Sequence, residues 1–246
     1  MRILVHNYSS ETSTEPAYFA QYLQSQGHQV HMWKNERSAF DMFDDFNPDL
    51  YITHFVMLSE DIIKRIYDSD IQVCINVTGI SKNVLDLIKS RLPKAYLFQN
   101  FNMVEVDVIP PCCDTYIGES TVDRPVYSIE TLFIVDTESD MDLISGMFDS
   151  KDTYHVIATS SDLNKIKEVD ACVPVAGLPM IYQNYSEVIV TKPNQAFFDA
   201  AYYNGSCGLV QREGNPLFLQ KKVVESLHSP YNRITELLEK IGKNDG

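Results

Sequence analysis

The sequence predicts an α/β protein made of two Rossmann-like α/β/α domains facing across a cleft. Three observations predict it. Short apolar strand-like runs alternate with amphipathic helix-like runs from the first residues onward, a sign of a parallel sheet covered by helices on both faces. The rhythm breaks at residues 104–114 (VEVDVIPPCCD), where two consecutive prolines and no helical period mark a crossover, and then it resumes. The length of 246 residues matches two compact domains at roughly 100–200 residues each. The boundaries read as 1–115 for an N-terminal domain and 116–246 for a C-terminal one.

In chain order, Arg2–Val5 is a compact apolar strand that ends in the polar loop His6-Asn7-Tyr8-Ser9-Ser10. Ser13 and Thr14 precede Glu15-Pro16, a helix start, because proline fits the first turn and an acid suits the helix dipole there. The helix over residues 16–26 carries Phe19, Tyr22 and Leu23 on one face and stops at Gly27. A second strand follows at residues 29–33. Phe40, Phe43 and Phe46 recur every three residues among Asp41, Asp44 and Asp45, which predicts a short amphipathic helix. The next units are strand 50–53 capped by His54, helix 59–67, strand 72–77, helix 82–91 and strand 95–98. Beyond the break, strands are expected at 131–135, 154–158, 171–175 and 187–190. Helices are expected at 141–148, 194–203 and 216–241.

Composition narrows the function. Apolar residues make up 44% and charged residues 22%, which excludes disorder, collagen and coiled coil. The net charge of −14 argues against a generic nucleic-acid or anionic-membrane binder, since such affinity rests on Lys and Arg. The acidity is even: residues 1–124 hold 10 basic and 17 acidic side chains, and residues 125–246 hold the same. Five scattered cysteines (Cys74, Cys112, Cys113, Cys172, Cys207) do not form a disulfide framework, and their spacing does not suggest zinc, so free thiols in a reducing cytoplasm are expected. The N-terminus reads as a strand and not a signal peptide, and no run approaches the roughly 18–20 apolar residues of a membrane span.

The common α/β chemistries lack their motifs. No GxGxxG follows the first strand, and there is no GxxxxGK[ST], GxSxG, HExxH or EF-hand loop. Ligand binding at the carboxyl ends of the strands remains. Three places meet that criterion. Loop 7–15 is rich in hydroxyls and adjoins a helix N-terminus; the plainer reading is a polar loop with a helix cap. His54 stands immediately after a strand, where an imidazole could act as a base near neutral pH or could serve only as a hydrogen-bonded structural residue. The run Glu187–Gly205 joins an apolar strand to a helix through Thr191-Lys192-Pro193. Its amides and lysine suit a phosphate, and Asp199 suits a ribose diol. Equally, Lys192 could be a solvated loop charge and Asp199 an exposed helix residue.

The stretch Phe198-Asp199-Ala200-Ala201-Tyr202-Tyr203-Asn204-Gly205 resembles the signature helix of GT-B glycosyltransferases, roughly FEAxxxG. Upstream, Val175-Ala176-Gly177-Leu178-Pro179, then Tyr182 and Tyr185-Ser186-Glu187, is similar to that fold's strand, glycine loop and following helix. HNYSSETSTEPAYF and FDMFDDFNPD also resemble small glycosyltransferase-like proteins of tailed bacteriophages. Two departures stand out. Asp199 takes the place of the second of two glutamates while Thr191 occupies the first, and residues 136–140 (DTESD) replace a glycine and basic residues.

The resemblance implies a metal-independent glycosyltransferase that uses a nucleotide sugar, a UDP-sugar first, as co-substrate and no other cofactor. The nucleotide base would lie near Gly177, Leu178 and Met180, the ribose at Asp199, and the diphosphate at Thr191, Lys192, Asn194 and Gln195. Asn7, Tyr8 and Ser9 would face the acceptor, with His54 as base and Glu15 as the second choice. The acceptor stays open. Hydroxymethylated bases of phage DNA are one possibility, for which Lys221, Lys222, Arg233 and Lys240 could form a basic face or simply a solvated helix. The rival expectation is a non-catalytic nucleotide or sugar-nucleotide binding protein.

Overall fold

The computed structural model describes residues 1–10, 13–101, 103–111, 130–148, 153–182, 184–211 and 215–243. Cys112, Cys113 and the expected 115/116 boundary lie outside the described residues. The chain divides into two units. One comprises Met1–Tyr8, Glu15–Pro110 and Tyr231–Gly246, and the other Ser9–Thr14 and Pro111–Pro230.

In the first unit the strands are β1 (Arg2–His6), β2 (Gln29–Trp33), β3 (Leu50–His54), β4 (Gln72–Asn76), β5 (Tyr96–Gln99) and the short β6 (Asp107–Val108). All pair in parallel, in the order β2-β1-β3-β4-β5-β6. The helices α1 (Glu15–Ser25), α2 (Ala39–Phe46), α3 (Glu60–Tyr67) and α4 (Lys82–Arg91) alternate with them. Local chemistry sets their ends. Ser38 and Ser59 accept hydrogen bonds from the backbone N–H of Asp41 and Ile62, capping α2 and α3. Asn47 closes α2 in the left-handed region at φ 46°, one of the few non-glycine residues suited to it. On one face of the sheet, Leu4, Tyr51, Val73 and Ile75 pack with Trp33, Met42, Phe43, Ile62 and Leu85.

The second unit has β7 (Glu130–Val135), β8 (Thr153–Ala158), β9 (Ala171–Cys172), β10 (Glu187–Val190), β11 (Ser206–Leu209) and β12 (Leu217–Gln220), ordered β12-β11-β10-β7-β8-β9. Only β12 runs antiparallel among the described strands. Its helices are α5 (Glu138–Ser145), α6 (Pro179–Tyr182), α7 (Gln195–Asn204) and α8 (Lys221–Leu227). Strand alternation splits the core between the faces. Leu132, Ile134, Val188 and Val190 meet α7, while Phe133, Val135 and Ile189 meet Met141 and Ile144 of α5.

Several elements differ from the sequence expectation. Residues 216–241 are not one helix. Leu217-Phe218-Leu219 pairs with β11 as β12, Lys221 begins α8, and Pro230 opens α9 (Pro230–Lys243). β11 carries no strand signal in the sequence because Ser-Cys-Gly-Leu has no β-branched residue; Gly208 lies where an added Cβ would meet the Phe218 ring at 3.2 Å. The helix expected at 141–148 begins at Glu138, since Thr137 and Asp140 form a capping box. The strand expected at 171–175 shrinks to two residues, and Val175–Gly177 is a 3-10 turn. The division of the chain is not an even cut either. α9 belongs almost wholly to the first unit, where Tyr231 packs edge-on against Tyr22 and Lys240 pairs with Asp107 at 3.2 Å.

The phenylalanine triplet of α2 gives a direct test. Phe43 is 1% exposed between Trp33 and Tyr51, whereas Phe40 is 40% exposed. Phe43→Ala is expected to cost about 3–5 kcal/mol. Phe40→Ala is expected to stay within about 0.5 kcal/mol. Denaturant unfolding of the two variants checks this, and equal losses would contradict the placement of the helix.

Candidate functional site

Each sheet reverses its winding direction once. In the first unit the reversal lies at β1/β3, and in the second at β7/β10. Crevices form outside the carboxyl ends of strands at such points, because the loops on either side lead away from one another. Both reversal points carry buried polar clusters.

In the first unit, Glu15 opens α1 and is 2% exposed. Its carboxylate accepts hydrogen bonds from the Tyr8 hydroxyl at 2.6 Å and the Asn76 amide at 2.8 Å, with the Tyr18 hydroxyl at 3.5 Å. Asn76, the last residue of β4, is fixed in turn: its side-chain oxygen accepts from the Thr78 N–H at 2.9 Å and the Thr78 hydroxyl at 2.6 Å. The Asn100 N–H then donates to the Thr78 hydroxyl at 2.8 Å. Burial pushes the Glu15 carboxyl above its ordinary value, against the opposing hydrogen bonds from Tyr8, Asn76, Asn100 and Tyr18. Burial, then the charge of Glu15, pushes Tyr8 well up as well.

His54 lies beside this cluster, its ring 5.4 Å from that of Tyr8. It caps the 3-10 turn Phe55–Met57, with the Val56 N–H donating to Nδ1 at 3.4 Å. Nε2 therefore carries the proton in the neutral ring, and the Nδ1 lone pair is occupied. Burial lowers its pKa to about 4. Asn7 is held through its backbone N–H, which donates to the Trp33 carbonyl at 2.7 Å. Ser9 is exposed and belongs to the second unit.

In the second unit, Asp140 is 1% exposed in the first turn of α5. One oxygen accepts from the Asp136 N–H at 3.0 Å, the Thr137 N–H at 2.8 Å and the Lys192 ammonium at 2.9 Å. Burial works to raise its pKa, but Lys192 and the backbone N–H groups outweigh it and hold the carboxyl below its usual value. Asp136 accepts from the Thr159 hydroxyl at 2.5 Å and from the Asn194 amide. Asn194 also caps α7 by accepting from the Phe197 N–H at 3.2 Å. Gln195 exchanges two hydrogen bonds with Thr14, at 2.7 and 2.6 Å, and donates to Asp199 at 3.2 Å.

The expected donor residues thus separate. Thr191, Lys192, Asn194 and Gln195 gather at the β10–α7 turn. Asp199 does not present itself there, being 0% exposed inside α7's packing. Leu178 is fully buried in the core, Gly177 lies in the 3-10 turn, and Met180 is 72% exposed on α6. Asn76, Thr78, Asn100 and Thr159 were not anticipated. The one available signal was Asn76 itself, a polar residue closing an apolar strand (QVCIN) that points along the sheet to its carboxyl edge. Among the described residues, no group of three or more His, Cys, Asp or Glu side chains could hold a metal ion, and no helix is long and apolar enough to cross a membrane.

No protein-family model matches the chain, and no curated protein does. Solved structures do. A glycosyltransferase from Rickettsia africae ESF-5 is 11% identical with a TM-score of 0.51, covering 76% of this chain and 72% of its own. This chain has a GT-B-like fold. Two Streptomyces glycosyltransferases also match with lower TM-scores. SsfS6 from strain SF2575, complexed with thymidine diphosphate, is 12% identical at 0.44 over 82% of this chain and 80% of its own. SnogD from Streptomyces nogalater is 10% identical at 0.45 over 83% and 79%.

The state of His54 has a measurable consequence. Its folded pKa of about 4 lies below the ordinary 6.5. Between those values the unfolded chain holds a proton that the folded chain does not, so stability falls as pH drops through that window. His54→Asn keeps an oxygen for the Val56 N–H but has no proton to take up. Melting temperatures measured from pH 6.5 down to about 4 are expected to fall less steeply in the variant. Parallel curves would contradict the half-buried, neutral imidazole.

Proposed function

We propose that the chain is a glycosyltransferase that moves a sugar from a nucleotide-sugar donor to a hydroxyl acceptor. The observation that carries this reading is the coincidence of two polar clusters with the two winding reversals of a GT-B-like fold. On this reading the acceptor lies at the first unit's cluster, by Asn7 and Tyr8; Ser9, expected beside them, falls in the second unit. Deprotonation of its hydroxyl falls to Glu15 and not to His54, whose Nδ1 lone pair is engaged by the Val56 N–H. The donor lies at the second unit's cluster, with its diphosphate at the turn Thr191–Gln195 and its base near Gly177 and Met180. Leu178 and Asp199 support that region from within the core; their burial takes them out of ligand contact. A UDP-sugar is the first donor to try, without added metal, and hydroxymethylated DNA is one acceptor among simple hydroxyl acceptors.

A second reading, a non-catalytic nucleotide or sugar-nucleotide binding protein, is favoured by one observation. Lys192 is already paired with Asp140, and Asn194 with Asp136, so a diphosphate must compete with internal carboxylates for the same donors. Incubation with UDP-, GDP- and ADP-sugars, with and without hydroxyl acceptors including hydroxymethylated DNA, separates the two. Release of nucleoside diphosphate with at least one donor is expected. Thermal stabilisation by a donor with no release under any condition would favour the binding protein.

A further inference from the structure

The first unit's cluster contains more than a buried acid. Glu15 has almost no surface of its own, so an acceptor hydroxyl cannot reach it directly. Tyr8 is partly exposed and places its hydroxyl 2.6 Å from Glu15 Oε2. The Asn76 amide donates to that same carboxylate oxygen at 2.8 Å. Thr78 and the strand end lock Asn76 in that orientation. The hydroxyl of a partly exposed tyrosine hydrogen-bonded to a buried carboxylate, which a fixed amide also holds, is the arrangement of a two-step proton path.

We propose that Tyr8 relays the acceptor's proton to Glu15, with Asn76 as the positioning residue, and that the transfer therefore inverts the anomeric configuration. This rests on the glycosyltransferase reading above. In the step, the acceptor oxygen bonds to the anomeric carbon as the bond from that carbon to the donor's phosphate oxygen breaks. The nucleoside diphosphate leaves with the electron pair. The acceptor's proton passes to Tyr8 Oη, and the Tyr8 proton passes to Glu15 Oε2. A single displacement from the face opposite the leaving group inverts that carbon.

The groups near this path that can titrate are Glu15 and Tyr8 themselves, Tyr18 on α1, Cys74 on β4 and His54 after β3. Glu15 must be ionised to receive the proton, so activity is expected to fall on the acid side of its raised pKa. Asn76 donates to the carboxylate, and Asn76→Ala therefore moves that acid limb to higher pH, a shift that loss of folding alone would not produce.

The test uses the full chain and whichever of the UDP-, GDP- or ADP-sugars it turns over. Tyr8→Phe keeps the ring and removes the relay oxygen, and is expected to lower kcat by about 10²–10⁴-fold with donor KM within about threefold. Glu15→Gln is expected to do the same, and the double variant to lose little more than either single one, because the two residues act as one unit. The product's anomeric configuration, read by NMR, should be inverted. It tests the proposal on the unaltered chain even if a variant fails to fold. Tyr8→Phe that keeps kcat within threefold, or a product of retained configuration, overturns the relay and leaves the glycosyltransferase reading standing. An unaltered chain that releases no nucleoside diphosphate from any donor overturns that reading and the relay with it.

Discussion

A carboxylate almost sealed from water must be met by donors, because an unanswered charge in the interior costs several kcal/mol. That constraint organises both polar edges of this chain. The first strand of each unit leads through a loop to a helix whose first turn carries a buried acid, Glu15 in α1 and Asp140 in α5. The helix dipole favours an acid there, and the neighbouring strand ends must supply the remaining donors. In the first unit the donors are neutral, hydroxyls and side-chain amides, so burial dominates and Glu15 stays basic for a carboxylate. In the second they are a lysine and two backbone N–H groups, and Asp140 becomes more acidic. The same motif thus yields a group suited to accept a proton in one unit and a fixed anion in the other.

The strand order gives these acids their place. Because β2 and β3 flank β1, and β8 and β10 flank β7, each buried acid sits by the reversal of its sheet. The side chains that answer it come from strands distant in sequence: Asn76 lies 61 residues from Glu15, and Lys192 lies 52 from Asp140. The parallel register, and not the local sequence, brings them within hydrogen-bond reach.

The fold was largely legible because parallel strands write themselves as short apolar runs between amphipathic helices, and the first unit's elements from β1 to β5 fall within a residue or two of expectation. β11 and β12 were not legible. A Ser-Cys-Gly-Leu strand has no periodicity to read, and Leu217-Phe218-Leu219 reads equally as the start of the helix that follows. At the sites, the sequence marked the right loops but not the roles within them. Lys192 reads as a phosphate donor or a solvated charge, but the fold places Asp140 beside it; Asp199 reads as a ribose ligand or an exposed helix residue, but α7 turns it inward; His54 reads as a base or a structural residue, and the Val56 N–H takes its Nδ1 lone pair. Each of these depends on a partner supplied by the fold, which no single stretch of sequence records.

The opposed behaviour of the two acids is the most direct measure of this account. A carboxyl-carbon NMR titration with Glu15 and Asp140 assigned should find Glu15 titrating above the usual glutamate value of about 4.3 and Asp140 below the usual aspartate value of about 3.9. Glu15 at or below its usual value would mean that its charge is already fully compensated, and the proton-accepting site in the first unit would lose its physical basis.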